Sequence, residues 1–213
     1  MDKINGAKLN GAKLAAVISR EITRLRDPDT ARHVDNVSVL AFEIASRTAT
    51  HFGLTEQQVL EIALFASFHD IGKLAISDEI LLKPGPLTKE EHDTVKLHTV
   101  LGEEMISKVI DELPPELDAR VMLDIILSHH EYLDGSGYPY GIAGKDISPA
   151  ARIVTVADIF DAVTCFRGYK ESWSSKKALE HLQVMADGGK IDPVCLQALR
   201  DYLNEKKLDT HTK

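Results

Sequence analysis

Residues 55–73 run TEQQVLEIALFASFHDIGK. From Thr55 to Phe68 apolar side chains recur at helical spacing and Thr55 can cap the first turn, so a helix leads into His69-Asp70. An imidazole beside a carboxylate, followed at once by Ile71-Gly72-Lys73, can ligate a metal and touch a phosphate together. With its two oxygens, Asp70 can bridge two ions. Such a dipeptide is common by chance, so its company carries the argument. His33 lies upstream, and His98, His129, His130 and Asp158 lie downstream, all in segments that read as helices. Five of the nine histidines therefore fall in one proposed cluster.

Working outward, helical periodicity dominates the chain. It spans Leu14 to Leu25, then Asp29 to Phe52 with Gly53 as a C-terminal stop. Thr88 and Glu91 form a capping box, and the helix they open is predicted to run to about Ile110. Pro114-Pro115 marks a break, and Glu116 to His130 reads as the next helix. From Glu131 to Ser148 the chain is rich in Gly and Tyr, hence a structured loop. Pro149 suits a helix start leading to Val163, and two helices follow over Ser175 to Ala186 and Pro193 to Lys206. No run of alternating strand character occurs, so the expected fold is an all-α, compact multi-helix bundle. The repeat of Asn5-Gly-Ala-Lys-Leu9 at Asn10-Gly-Ala-Lys-Leu14 has a period that suits neither helix nor strand and reads as a linker remnant. The expected organisation is a linker and helix over 1–28, a catalytic domain over 29–208 and a tail over 209–213.

With 213 residues, 44% of them hydrophobic, the chain can bury a full core. The net charge of −8 and pI of 5.6 exclude a general binder of nucleic-acid polymers, which needs a basic face. A small phosphorylated substrate held by metals and a few local cations remains compatible. Cys165 and Cys195 stand thirty residues apart without a partner motif, so neither a disulfide framework nor a thiolate site is expected. The start is too polar for a signal peptide, and apolar runs such as Ile62 to Phe68 are too short to span a bilayer. The expectation is a cytoplasmic protein without a membrane partner.

Asp29 and His33 are four residues apart and can project from one face near a helix start. His129 and His130, about 100° apart around a helix, could serve two ions, or one ion and the substrate. Asp158 lies among Ile153, Val154, Val156, Ile159 and Phe160, where an unpaired carboxylate would be costly. Singly, each has an ordinary explanation: a core histidine bonded to backbone, a helix cap at Asp29, a salt bridge at Asp158. Together, five imidazoles and up to three carboxylates on consecutive helices do not suit a solvated surface.

HDIGK at 69–73, HHEYLDGSGYP at 129–139 and VADIFDA at 156–162 closely resemble the HD-GYP subgroup of HD-domain phosphohydrolases. The likeness runs from about Asp29 to Tyr202. The resemblance implies an all-α domain that hydrolyses cyclic di-GMP, to linear pGpG or GMP, with two or three iron or manganese ions. Carried over by motif, His33, His69, Asp70 and Asp158 would hold one ion, with Asp70 bridging to a second held by His98, His129 and His130. Where the family's three-metal members commonly have Glu, this chain has Asp29, about one methylene shorter, so a two-metal site is expected and Asp29 is a candidate ligand to a third ion only. Two cations roughly 3.5–4 Å apart can lower the pKa of a bridging water and clamp the phosphodiester oxygens for in-line attack. A ligand set of N and O without thiolates suits Fe or Mn.

Lys73 can neutralise the phosphate or assist the departing alkoxide. Arg167 and Lys170 resemble the family's phosphate-binding pair; Arg grips phosphate bidentately and Lys acts as a point charge. Around them, TCFRGYK at 164–170 departs from the family's usual pattern, replacing an acidic residue by Phe166 and a proline by Gly168. Orientation of the substrate, or preference between cyclic di-GMP and cyclic GMP-AMP, could differ in consequence. The Gly135–Pro139 loop could wall the pocket or dock a diguanylate cyclase (GGDEF) domain, and pocket architecture is the favoured role. Asp161 and Glu131 are expected to orient ligating imidazoles. The competing readings are a phosphodiesterase for cyclic GMP-AMP or another nucleotide, and a non-catalytic cyclic-dinucleotide-binding module, which would show eroded ligands. About 28 residues precede Asp29, so the chain is expected to be a stand-alone enzyme or an excised catalytic fragment, with homodimerisation through the first helix as one use of its apolar stripe.

Overall fold

Helix boundaries follow local chemistry. In the computed structural model, which describes residues 28–115, 117–165 and 172–211, α1 spans Pro28–Phe52 and α2 spans Glu56–Ala66. Gly53 separates them at φ +68°, a left-handed conformation costly for other residues, and Leu54 N–H reaches back to the Ala49 carbonyl at 2.8 Å. Thr55 then caps α2 in a reciprocal capping box with Gln58. A 3-10 turn over Ile71–Ala75 is followed by α3 (Asp78–Leu81), α4 (Lys89–Lys96), α5 (His98–Ser107) and α6 (Ala119–Ser128). The last three helices are α7 (Pro149–Thr164), α8 (Ser175–Asp187) and α9 (Pro193–His211). No strand occurs among the described residues, so the fold is all-α as expected.

Three boundaries differ from the sequence-based expectation. The helix expected from Thr88 to about Ile110 is two helices, broken at Leu97, whose N–H bonds the Thr94 carbonyl at 3.1 Å in a tightened 3-10 manner. Close contact between backbones accounts for the break. A Cβ on Gly72 would lie 1.9 Å from the His98 carbonyl oxygen and 2.5 Å from Gly102 N, so α5 rides directly on the 3-10 turn. The helix expected from Glu116 begins instead at Ala119, where Asp118 accepts from Arg120 N–H at 3.1 Å, and it stops before His129. At the far end α9 continues past Lys206 to His211. The duplicated pentapeptide and the helix expected over Leu14 to Leu25 lie outside the described residues.

The central element is α7, with ten of its sixteen residues buried, from Ala150 to Asp161. Ser148 caps it, accepting from Ala151 N–H at 3.1 Å, and Pro149 occupies its first turn. Helix α1 packs antiparallel to α2, with Ser38 Oγ donating to the Ala63 carbonyl at 2.5 Å. Its other flank meets α7 and α9, the latter through Arg47 and Glu205. Val37, Ile44, Ile62, Phe65, Ile125, Ile153 and Leu199 are essentially fully buried in the shared core. At roughly 1.5–3 kcal/mol for each large apolar side chain, this burial holds the polar centre described next in place. Cys165 and Cys195 are both free thiols. No described helix is long and apolar enough to cross a membrane.

Candidate metal centre

The seven clustered side chains come from five elements, and five of the seven sit at helix ends. His69 and Asp70 lie in the turn after α2, His98 opens α5, and His129 and His130 follow the last residue of α6. Only His33 on α1 and Asp158 on α7 project from the interior of a helix. The expected helical placement of His129 and His130 is therefore two residues too long; a helix end lets two successive imidazoles turn the same way. All of the cluster is buried except His130, whose side chain keeps 22% of its surface exposed.

Hydrogen bonding fixes which ring nitrogen faces inward. Backbone carbonyls can only accept, so each Nδ1 that meets one must carry the proton. His69 Nδ1 donates to the Ala66 carbonyl at 2.7 Å, His98 Nδ1 to Val95 at 2.8 Å, and His129 Nδ1 to Ile125 at 3.0 Å. The Nε2 lone pairs of these rings then converge. His98 Nε2 and His129 Nε2 lie 3.3 Å apart, and His69 Nε2 and Asp70 Oδ1 are buried with no hydrogen-bond partner. Lone pairs facing one another in a dry interior repel, and a cation between them removes both that repulsion and the unmet polar groups. These residues fit a divalent metal on donor chemistry alone.

Electrostatics prepares the same donors. Burial pushes His98 and His129 down, and His130 down to about 4, so their rings are neutral, the form that ligates metal. His33 behaves oppositely: burial would lower it, but hydrogen bonds to Asp158 and Asp161 prevail and lift it to about 9. Burial alone would raise Asp70, yet Lys73 and the histidines hold it well below the usual carboxylate range. Asp158 is likewise held low despite burial, by His33 above all.

The ligand atoms form two groups. Those of Asp70, His98, His129 and His130 lie within 4.8 Å of one another, and so do those of His33, His69 and Asp158. Asp70 faces both, with Oδ1 3.3 Å from His98 Nε2 and Oδ2 3.3 Å from His69 Nε2. Lys73 Nζ bonds Asp70 Oδ2 at 2.5 Å, which brings the expected lysine to the centre. Arg167 and Lys170 lie outside the described residues, as does the side chain of Asp29 in the first turn of α1.

Of the two expected orienting carboxylates, Asp161 meets an imidazole, its Oδ2 bonding His33 Nδ1 at 2.7 Å. Glu131 does not. Its Oε1 accepts from Tyr140 and Gly141 N–H at 2.7 and 3.0 Å, which fastens the Gly- and Tyr-rich loop. Gly137 packs so closely that a Cβ would meet the His130 carbonyl at 2.5 Å, and the Tyr138 ring lies 4.7 Å from that of His130. Sequence reasoning missed Asn36, whose Nδ2 donates to Asp161 Oδ1 at 2.8 Å, and Thr155, whose hydroxyl meets the His129 carbonyl at 2.8 Å. Asn36 lies one turn beyond His33 on α1, a spacing that could have drawn notice; Thr155 gave no signal.

The family model described as HD domain matches residues 18–195. The chain is 41% identical to the cyclic di-GMP phosphodiesterase response regulator RpfG of Xanthomonas campestris pv. campestris, over 82% of this chain and 43% of the relative. It is 34% identical to 3'3'-cGAMP-specific phosphodiesterase 2 of Vibrio cholerae, over 84% of this chain and 33% of that protein. The chain thus spans less than half the length of these curated relatives. Among solved structures, Bd1817, an HDG"Y"P protein from Bdellovibrio bacteriovorus, superposes with a TM-score of 0.63 at 22% identity, covering 93% of this chain and 64% of the other. That likeness supports the all-α fold.

Proposed function

The chain belongs to the HD-domain family, and on that premise we propose that it is a metal-dependent phosphodiesterase hydrolysing cyclic di-GMP to linear pGpG or GMP. One observation carries the reading: two groups of inward-facing Nε2 and carboxylate donors share Asp70, each of whose oxygens faces a different group. His33, His69, Asp70 and Asp158 would hold one divalent ion, and Asp70, His98, His129 and His130 the other, iron or manganese by donor type. When bound, such a pair supplies charge neutralisation at the phosphodiester and an acidified water. The chain's own part is orientation. Backbone carbonyls and Asp161 fix the imidazoles, burial keeps three of them neutral, and Lys73 is a cation beside Asp70 that can meet the scissile phosphate or its leaving 3′-oxygen. Tyr138, against His130, walls the half-open side of the centre. Arg167 and Lys170 would grip the second phosphate, within a catalytic unit spanning 29–208.

The same reading takes the two-metal form, with Asp29 as the only candidate for a third ion, and a cytoplasmic setting. Tyr140, 67% exposed beside the Gly135–Pro139 loop, supports a contact with a diguanylate cyclase (GGDEF) domain, and a homodimer is the proposed assembly. A second substrate, cyclic GMP-AMP, is favoured by the likeness to a cGAMP-specific relative and by the altered 164–170 stretch. Incubating iron- or manganese-loaded protein with cyclic di-GMP, cyclic GMP-AMP and a generic phosphodiester, with chromatographic product analysis, tests the reading. Release of pGpG is the expected result; dinucleotide binding without turnover would replace the enzyme with a binding module.

A further inference from the structure

The two groups of donors differ in charge, in support and in access. Around His33, His69 and Asp158 stand the carboxylates of Asp158 and Asp161, in addition to the shared Asp70. The His33 ring is held by a chain of side chains, Asn36 Nδ2 donating to Asp161 Oδ1 at 2.8 Å and Asp161 Oδ2 accepting from His33 Nδ1 at 2.7 Å. Its Nε2 points to Asp158 Oδ1 at 3.0 Å. A carboxylate behind an imidazole raises the basicity of the opposite nitrogen and fixes the ring. In the other group Asp158 approaches less closely, its Oδ2 lying 3.9 Å from His130 Nδ1, and among the described residues no carboxylate stands behind an imidazole as Asp161 stands behind His33. Within that group, His98 and His129 lean on backbone carbonyls, which are neutral. Access differs as well: His33 and His69 are 2% and 0% exposed, whereas His130 opens the second group to solvent at 22%.

Resting on the metal-centre reading above, we propose that the two cation positions are inequivalent: the His33–His69–Asp158 position fills first and retains its ion, the His98–His129–His130 position fills last and exchanges, and Asn36–Asp161 is the positioning pair that creates the difference. The reason is electrostatic. An ion with two charges, close to Asp158, with Asp161 behind one of its imidazoles and shielded from water, gains more and escapes more slowly than one among imidazoles held by neutral carbonyls and open to solvent at His130.

The test is a titration of the metal-free full chain with Mn2+ alone at pH 8. Free Mn2+ is followed by electron paramagnetic resonance, and retained metal is counted after gel filtration. Two steps are expected, the first at least about tenfold tighter, with one ion retained. Asp161→Asn should weaken the first step by roughly 10–100-fold, the range for an outer partner of a metal-bound histidine, and leave the second in place. Asn36→Ala, which deletes an outer hydrogen bond and spares every ligand, should shift it the same way by less and guards against misfolding of the first variant. His130→Ala should abolish only the weak step. A single class of two equal sites, or a first step untouched by both Asp161→Asn and Asn36→Ala, overturns the inference. The enzymatic reading fails separately: unequal binding without dinucleotide turnover overturns that reading and leaves this one, while equal binding with turnover does the reverse. No Mn2+ binding at all overturns both.

Discussion

At the residue scale, Asp70 and Gly72 are two positions apart and do opposite kinds of work. Asp70 turns one oxygen to each donor group at 3.3 Å, so Asp70→Ala should empty both and lower turnover by more than about 100-fold, beyond the figure typical of outer-shell partners. Metal content by mass spectrometry alongside the hydrolysis assay checks this; an Asp70→Ala protein that keeps two ions would contradict it. Gly72 carries no chemistry, yet a side chain there meets the His98 carbonyl at 1.9 Å. Gly72→Ala should cost about 1–3 kcal/mol of overpacking, read as a lower midpoint in urea denaturation. The candidate ligands were legible in the sequence because imidazole and carboxylate in that company have few other uses. Neither Gly72's contact nor the bond from Asn36 was legible, since each depends on which backbone or side chain another element brings alongside.

At the element scale, most helix boundaries were recognisable where a cap or a stop is written locally, although the Asp118 cap was not. Gly53, Thr55, the Thr88–Glu91 box and Ser148-Pro149 all sit at observed boundaries. The break at Leu97 was not legible, because no proline or glycine marks it and its cause lies on the 3-10 turn of residues 71–75. Ser148 offers a direct test. Its hydroxyl caps α7 and also bonds Asp124, so Ser148→Ala should destabilise the protein by about 1–2 kcal/mol without changing the denaturant slope. Because α7 carries both Asp158 and Asp161, the same variant should loosen the His33 group before the His130 group, a difference that metal retention after gel filtration would reveal.

At the scale of the whole molecule, the centre draws ligands from α1, α5, α7 and the turns after α2 and α6, so a bound ion ties most of the bundle together. Metal that binds the folded chain alone stabilises it by mass action, about 2.7 kcal/mol at one hundred times the dissociation constant. Exhaustive chelation should therefore lower the melting temperature in scanning calorimetry, and re-addition of Mn2+ should restore it; identical melting with and without metal would contradict a resident centre. Composition and helical periodicity determined the all-α class, and the HDIGK, HHE, DGSGYP and VADIFDA motifs named the candidate ligands through their likeness to a family, because hydrophobic period and donor chemistry are properties of the chain itself. Only the tertiary structure decided that Asp70 faces two groups, that Glu131 fastens a loop while Asp161 holds His33, and that one donor group is closed and backed by Asp161 while the other opens to solvent at His130. Those are matters of distance and burial between segments far apart in the sequence, and packing alone determines them.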